Sequence, residues 1–110
     1  MDKHSGIEAG MQHTIIQISI LHCSKTGRMY PYKMLKTMKQ RKPMSMDVSK
    51  NDVYNAITSL EKSGLIKIYT EKAGRKKYCR ITRKGSEVLE STKRIMARNL
   101  KEISKIIKEN

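Results

Sequence analysis

The chain contains no tryptophan and no phenylalanine. Its five aromatic residues are all tyrosines, so the core must be built from aliphatic side chains and methionine. Cysteine is nearly absent. Cys23 and Cys79 form no CxxC pair and stand far apart, which argues against a disulfide framework. Cys23 ends an apolar helical stretch and Cys79 lies in a strand-like one, so both read as small buried residues. The other reading, a redox-sensing thiol, would need exposure and a lowered pKa. No apolar run approaches the length of a membrane span, and nothing at the N-terminus resembles a secretory signal. A cytoplasmic protein is therefore expected. The catalytic patterns are missing as well. There is no Gly-rich phosphate loop followed by Lys-Ser/Thr, no HExxH and no paired carboxylates in an apolar setting. Ser, His and Cys occur, but in no arrangement that activates a nucleophile. His4 and His13 lack companions at ligand spacing, so no metal site is expected. The chain reads as no enzyme, with no cofactor implied and no small-molecule ligand indicated.

What remains is short and basic. At 110 residues the chain suggests one domain. Its hydrophobic content is 37%, which is thin for an isolated monomer of this size, so core burial is expected to draw on a partner subunit. The eight methionines suit irregular gaps in such a core. Lysine and arginine number 24 against 10 acidic residues, for a net charge of +14. Residues 24–42 carry seven basic residues and no acid, and residues 49–84 carry ten basic and three acidic. Each segment thus has a net charge of +7, and the rest of the chain cancels. Charge concentrated in this way points to a polyanionic partner; general solubility charge would be spread evenly and mixed in sign.

Residues 48–82 form the centre of the reading. Ser49 suits an N-cap, and Asp52 stands where a capping-box acid would. Val53, Ala56, Ile57 and Leu60 recur at helical spacing as one apolar stripe, and Gly64 ends the helix. The other faces carry Lys50, Asn51, Tyr54, Asn55, Thr58 and Ser59. These groups have hydrogen-bonding capacity and, apart from one Tyr, little bulk. Such a face can enter a major groove. The blander reading is a solvated face, which more often carries Glu and Lys in quantity. Two strand-like runs follow, Leu65, Ile66, Ile68, Tyr69 and then Tyr78, Cys79, Ile81, Thr82. Between them Gly74 supplies a turn, and four of the seven residues 71–77 are basic. A basic hairpin beside a polar helix suits a wing that holds phosphates.

The flanks complete the pattern. A first helix is expected over residues 8–24, after a leader at 1–7. Met11, Ile15, Ile18 and Leu21 would share one face of it, widened by Ile16 and Ile20. A second helix is expected over residues 30–40. Tyr30, Met34, Leu35 and Met38 would face inward, and Lys33, Lys36, Lys39 and Arg41 outward, where Lys33 and Lys36 can meet phosphates. Residues 44–48 read as a short first strand or as a loop. Thr82 caps a last helix over residues 83–108, about 39 Å long. Leu89, Met96, Leu100, Ile103 and Ile107 follow coiled-coil spacing along it. Its second half would expose apolar surface unless another chain covers it, so a homodimer through this helix is expected. The alternative is that the helix folds back on its own domain. Asn99 lies either in the seam as a register-setting polar group or on a solvated face.

Three motifs carry a resemblance. The segment DVYNAITSLEKSGLI, residues 52–66, resembles the helix-and-turn signature of PadR-like winged-helix transcriptional regulators. The run GRKKYCRITRKG, residues 74–85, is similar to their second wing strand and its exit into a last helix. GRMYPY, residues 27–32, resembles their entry into the second helix, with Pro31 where that family usually has Gly. The resemblance covers about residues 14–90. MarR-like and archaeal chromatin winged helices share the general pattern. The resemblance to PadR-like proteins implies dimerisation through C-terminal helices.

Together these readings give a mainly α chain with a small β-hairpin (α+β), a winged helix-turn-helix with a long C-terminal dimerisation helix. The divisions are a leader at 1–7, a DNA-binding domain at 8–82 and a dimerisation helix at 83–110. The expected function is sequence-specific binding of double-stranded DNA as a homodimeric transcriptional regulator. Ser49, Lys50, Asn51, Tyr54, Asn55 and Ser59 would serve the recognition helix, and Arg75, Lys76 and Lys77 the wing. Two alternatives stay open: a chromatin-type architectural DNA-binding protein, and a protein-interaction or RNA-binding module.

Overall fold

The computed structural model describes residues 6–41 and 47–109. Four helices and one hairpin follow in the order α1 (Gly6–Lys25), α2 (Pro31–Arg41), α3 (Lys50–Lys62), β1 (Ile66–Thr70), β2 (Lys77–Ile81) and α4 (Arg83–Lys108). The expected mainly α arrangement with a single hairpin is what forms. The core gathers Ile16, Ile20 and Leu21 of α1, Met34 and Met38 of α2, and Val53, Ala56, Ile57 and Leu60 of α3. Ile66 and Cys79 close it from the hairpin, and Leu89 closes it from α4. Methionine fills the space between helices that an aromatic side chain would otherwise take.

α3 forms where the sequence places it because both of its ends are satisfied. The Asp52 backbone N–H donates to Ser49 Oγ at 3.1 Å, and the Ser49 N–H donates to Asp52 Oδ2 at 2.9 Å, completing a capping box. At the other end Gly64 adopts a φ of +76°. Its N–H donates to the Glu61 carbonyl and the Leu65 N–H donates to the Leu60 carbonyl, the paired bonds of a Schellman motif. Lys84 Nζ donates to the Ser63 carbonyl at 3.0 Å, placing a cation at the negative helix end.

The hairpin pairs antiparallel, with Ile66 opposite Ile81, Ile68 opposite Cys79 and Tyr69 opposite Tyr78. A third strand position exists, but it precedes α2. Met29 N–H donates to the Cys79 carbonyl at 3.0 Å and Cys79 N–H donates to the Met29 carbonyl at 2.8 Å. Of the stretch 44–48 considered for that role, residues 44–46 lie outside the described residues, and Asp47 and Val48 form no strand. Burial raises the Cys79 thiol pKa to about 11, so Cys79 is a packing residue.

Two helices differ in detail from their sequence pattern. α1 begins at Gly6, so the end of the expected leader is helical. Its buried face is Gln12, Ile16, Ile20 and Ser24 with Leu21, whereas Met11 is exposed and Ile15 and Ile18 are half-buried. An apolar stripe on both sides of the helix left the choice of face to the packing. Ser24 is tolerated inside because its hydroxyl donates to the Ile20 carbonyl at 2.7 Å. In α4, Gly85 and Leu89 are buried, but no residue from Lys93 onward is. The helix therefore projects from the core, and the radius of gyration is 15.5 Å. A compact chain of this length would have about 13 Å.

Candidate nucleic-acid interface

α3 turns its apolar stripe inward and leaves a polar face in solvent. Lys50, Asn51, Tyr54, Asn55, Thr58 and Ser59 are all exposed. Thr58 Oγ1 donates back to the Tyr54 carbonyl, which occupies that hydroxyl. Among the described residues the Asn51, Asn55 and Ser59 side chains have no partner within the chain, so their donors and acceptors are open to a ligand. Lys50 Nζ lies 5.7 Å from the centre of the Tyr54 ring, coupling the two. Ser49 differs from its neighbours: its hydroxyl is already engaged in the cap, so its structural role is established by the geometry.

The wing is equally open. Arg75, Lys76 and Lys77 are exposed, and the turn is closed by the Glu71 N–H donating to the Lys76 carbonyl at 3.0 Å. The wing is tied to the start of α2 through tyrosines that the sequence reading left largely unassigned. Tyr69 and Tyr78 stack across the hairpin at 5.4 Å, and Tyr30 packs on Tyr78 at 6.0 Å and on Tyr32 at 6.1 Å. The Arg28 guanidinium lies 4.5 Å from the Tyr78 ring centre. Tyr30 donates its hydroxyl hydrogen to Glu71 Oε1. That bond holds the Tyr30 phenol pKa above its ordinary value, with Arg28 opposing it.

This cluster brings together residues from separate elements. Lys33 Nζ sits over the Tyr30 ring at 5.2 Å and Lys76 Nζ over the Tyr32 ring at 5.5 Å. A helix 2 cation and a wing cation thus share one aromatic base. Lys36 is exposed on the outer side of α2. One part of the cluster had a signal in the sequence: Tyr69 and Tyr78 fall opposite each other in a hairpin centred between Ala73 and Gly74.

The residues assigned to a dimer seam separate into two groups. Leu89 is 0% exposed and belongs to the core of its own chain, which corrects its place in the seam. Its i, i+7 relation to Met96 is real, but the start of α4 is buried in the core while no residue of the helix from Lys93 onward is. Met96, Leu100, Ile103 and Ile107 are exposed, Leu100 and Ile107 at 70% each. Met96 and Leu100 line an apolar groove of about 580 Å³ with Ile7, Met11 and Ile15 of α1. Asn99 is exposed. Among the described residues no group of three or more His, Cys, Asp or Glu is placed to hold a metal ion. No described helix is long and apolar enough to cross a membrane.

A sequence profile described as the transcriptional regulator PadR-like family matches residues 20–91. The chain belongs to this family. The matched span of this PadR-like chain runs from the end of α1, through the capped helix and the wing, to the buried start of α4. Among solved structures, a transcriptional regulator from Clostridium thermocellum is 24% identical with a TM-score of 0.77, covering 93% of this chain and 96% of that one. A PadR family transcription regulator from Clostridium difficile is 26% identical with a TM-score of 0.71, over 84% of this chain and 97% of that one. Bacillus subtilis PadR, solved in complex with operator DNA, is 20% identical with a TM-score of 0.60, over 70% of this chain and 46% of that one. The fold of this PadR-like chain is thus the winged helix-turn-helix expected from its sequence. No curated protein sequence matches it.

Proposed function

We propose that this PadR-like chain is a homodimeric regulator that binds double-stranded DNA with sequence preference. The observation that carries the reading is the capped α3, whose Asn51, Asn55 and Ser59 side chains are uncommitted, followed at once by a basic wing. Asn55 and Asn51 can pair with adenine edges in a major groove, and Lys50 and Tyr54 can share bases and phosphates. Arg75, Lys76 and Lys77 of the wing, with Lys33 and Lys36 of α2, contact the backbone. The apolar surface from α1 to the end of α4 pairs two chains, and the two α3 helices then meet half-sites about 34 Å apart. The operator complex of Bacillus subtilis PadR supports the choice of partner.

The test is a salt titration of binding to two duplexes, the region upstream of the protein's own coding sequence and a shuffled copy of it. Preference for the native duplex by about a hundredfold or more is expected for a self-regulating protein. Asn55→Ala should reduce that preference, costing about 1–3 kcal/mol on the native duplex and little on the shuffled one. Equal losses on both would remove Asn55 from base readout. Equal binding of the intact protein to the two duplexes, with a steep salt dependence, would favour the architectural reading that the +14 net charge also suits.

A further inference from the structure

A two-stranded hairpin is marginally stable alone, and the outer half of this one has no apolar core beneath it. Ile66, Ile68, Cys79 and Ile81 anchor its base in the core, but Tyr69, Thr70, Lys77 and the turn lie beyond. Within residues 69–77 one side chain is not exposed, that of Glu71. It is also the one acidic residue in that span, set among Lys72, Arg75, Lys76 and Lys77. On charge alone a carboxylate there weakens the hold on a polyanion. Its geometry assigns it another task. It accepts the Tyr30 hydroxyl hydrogen, and Arg28, which lies near that hydroxyl, covers the Tyr78 ring.

We infer that Glu71 and Tyr30 are positioning residues that latch the wing to the start of α2 and so aim its cations at the DNA backbone. This rests on the wing's proposed contact with DNA. The hydrogen bond crosses from the wing turn to the residue just before α2, so it fixes the hairpin's angle where the core cannot. The tyrosine stack supplies the lateral support, and the bond sets the final orientation. Lys33 and Lys76, both held over rings of this cluster, move with it.

The test compares four proteins on one duplex across a salt series: wild type, Tyr30→Phe, Glu71→Ala and Glu71→Gln. None of the substitutions removes a cation. Glu71→Ala raises the net charge by one and on charge alone would tighten binding. With the latch, Tyr30→Phe and Glu71→Ala instead bind about tenfold more weakly, with the slope of log affinity against log salt smaller by about one. Glu71→Gln keeps an acceptor oxygen and stays near the wild-type slope. Unchanged slopes, or tighter binding by Glu71→Ala, would overturn the inference.

Amide exchange of the DNA-free protein separates this failure from failure of the wing reading. Tyr30→Phe should speed exchange of the Glu71 N–H, which bonds the Lys76 carbonyl, by about tenfold and leave α3 and α4 unchanged. If the triple variant of Arg75, Lys76 and Lys77 to Ala shows no loss of slope, the wing does not touch DNA, and the latch stands or falls on the exchange result alone. Unchanged exchange would refute it.

Discussion

A Cβ added at Gly85 would lie 2.0 Å from the Leu65 carbonyl oxygen and 2.8 Å from the Ile81 side chain. That carbonyl accepts the Thr82 N–H at 3.0 Å, and the Thr82 hydroxyl donates to Gly64 and accepts the Gly85 N–H. The start of α4 is therefore pressed against the turn between α3 and β1, and a backbone atom there cannot yield as a flexible side chain would. Gly85→Ala should cost about 2 kcal/mol or more, read from the urea midpoint at matched protein concentration. Leu89→Ala should cost about 2–5 kcal/mol through the cavity it leaves in the core. Both variants should keep the oligomeric state of the wild type, because neither position reaches the exposed half of α4. An unchanged midpoint for either would mean that α4 does not pack at its start as described. The sequence marked both residues but not their roles. Gly85 was visible as part of a family-like exit, while the close approach that requires it involves Leu65, twenty positions earlier. Leu89 fell into a seven-residue repeat that continues across two different environments.

At the scale of elements, legibility follows the range of the interactions. α3 was readable end to end because its cap, stripe and terminating glycine act within a few residues of one another. The hairpin was readable for the same reason. The buried face of α1 was not, because Ile15 and Ile18 are as apolar as Ile16 and Ile20 and only the position of the other helices decides between them. The third strand position was missed because a single bridge at Met29 needs no run of strand-type residues. The tyrosine cluster joins residues 28–32 to residues 69–78, and no local pattern joins those segments. The exposure of the polar α3 face and of the wing cations was legible, since composition alone signals it. Replacing Arg75, Lys76 and Lys77 with Ala should weaken binding to every duplex alike and reduce the salt slope by about five, since each of the two wings of a dimer loses three cations. The fold should be intact by circular dichroism, since none of the three is buried. An unchanged slope would remove the wing from the interface.

For the molecule as a whole, the dominant feature is the apolar surface left uncovered. Met96, Leu100, Ile103, Ile106 and Ile107 of α4 continue onto Ile7 and Met11 of α1, and all are exposed. A surface of that extent is stable in water when a second chain covers it. A dimer built there carries two copies of α3 and two wings on one rigid frame, and a duplex then engages both. The most direct measurement is the salt dependence of DNA binding for wild type and for a variant with Leu100→Glu and Ile103→Glu, with the mass of each followed by light scattering. The account predicts a dimeric wild type, a monomeric variant, and a salt slope for the variant about half that of the wild type on the same duplex. A variant that remains dimeric, or a monomer that binds with the full slope, would contradict it.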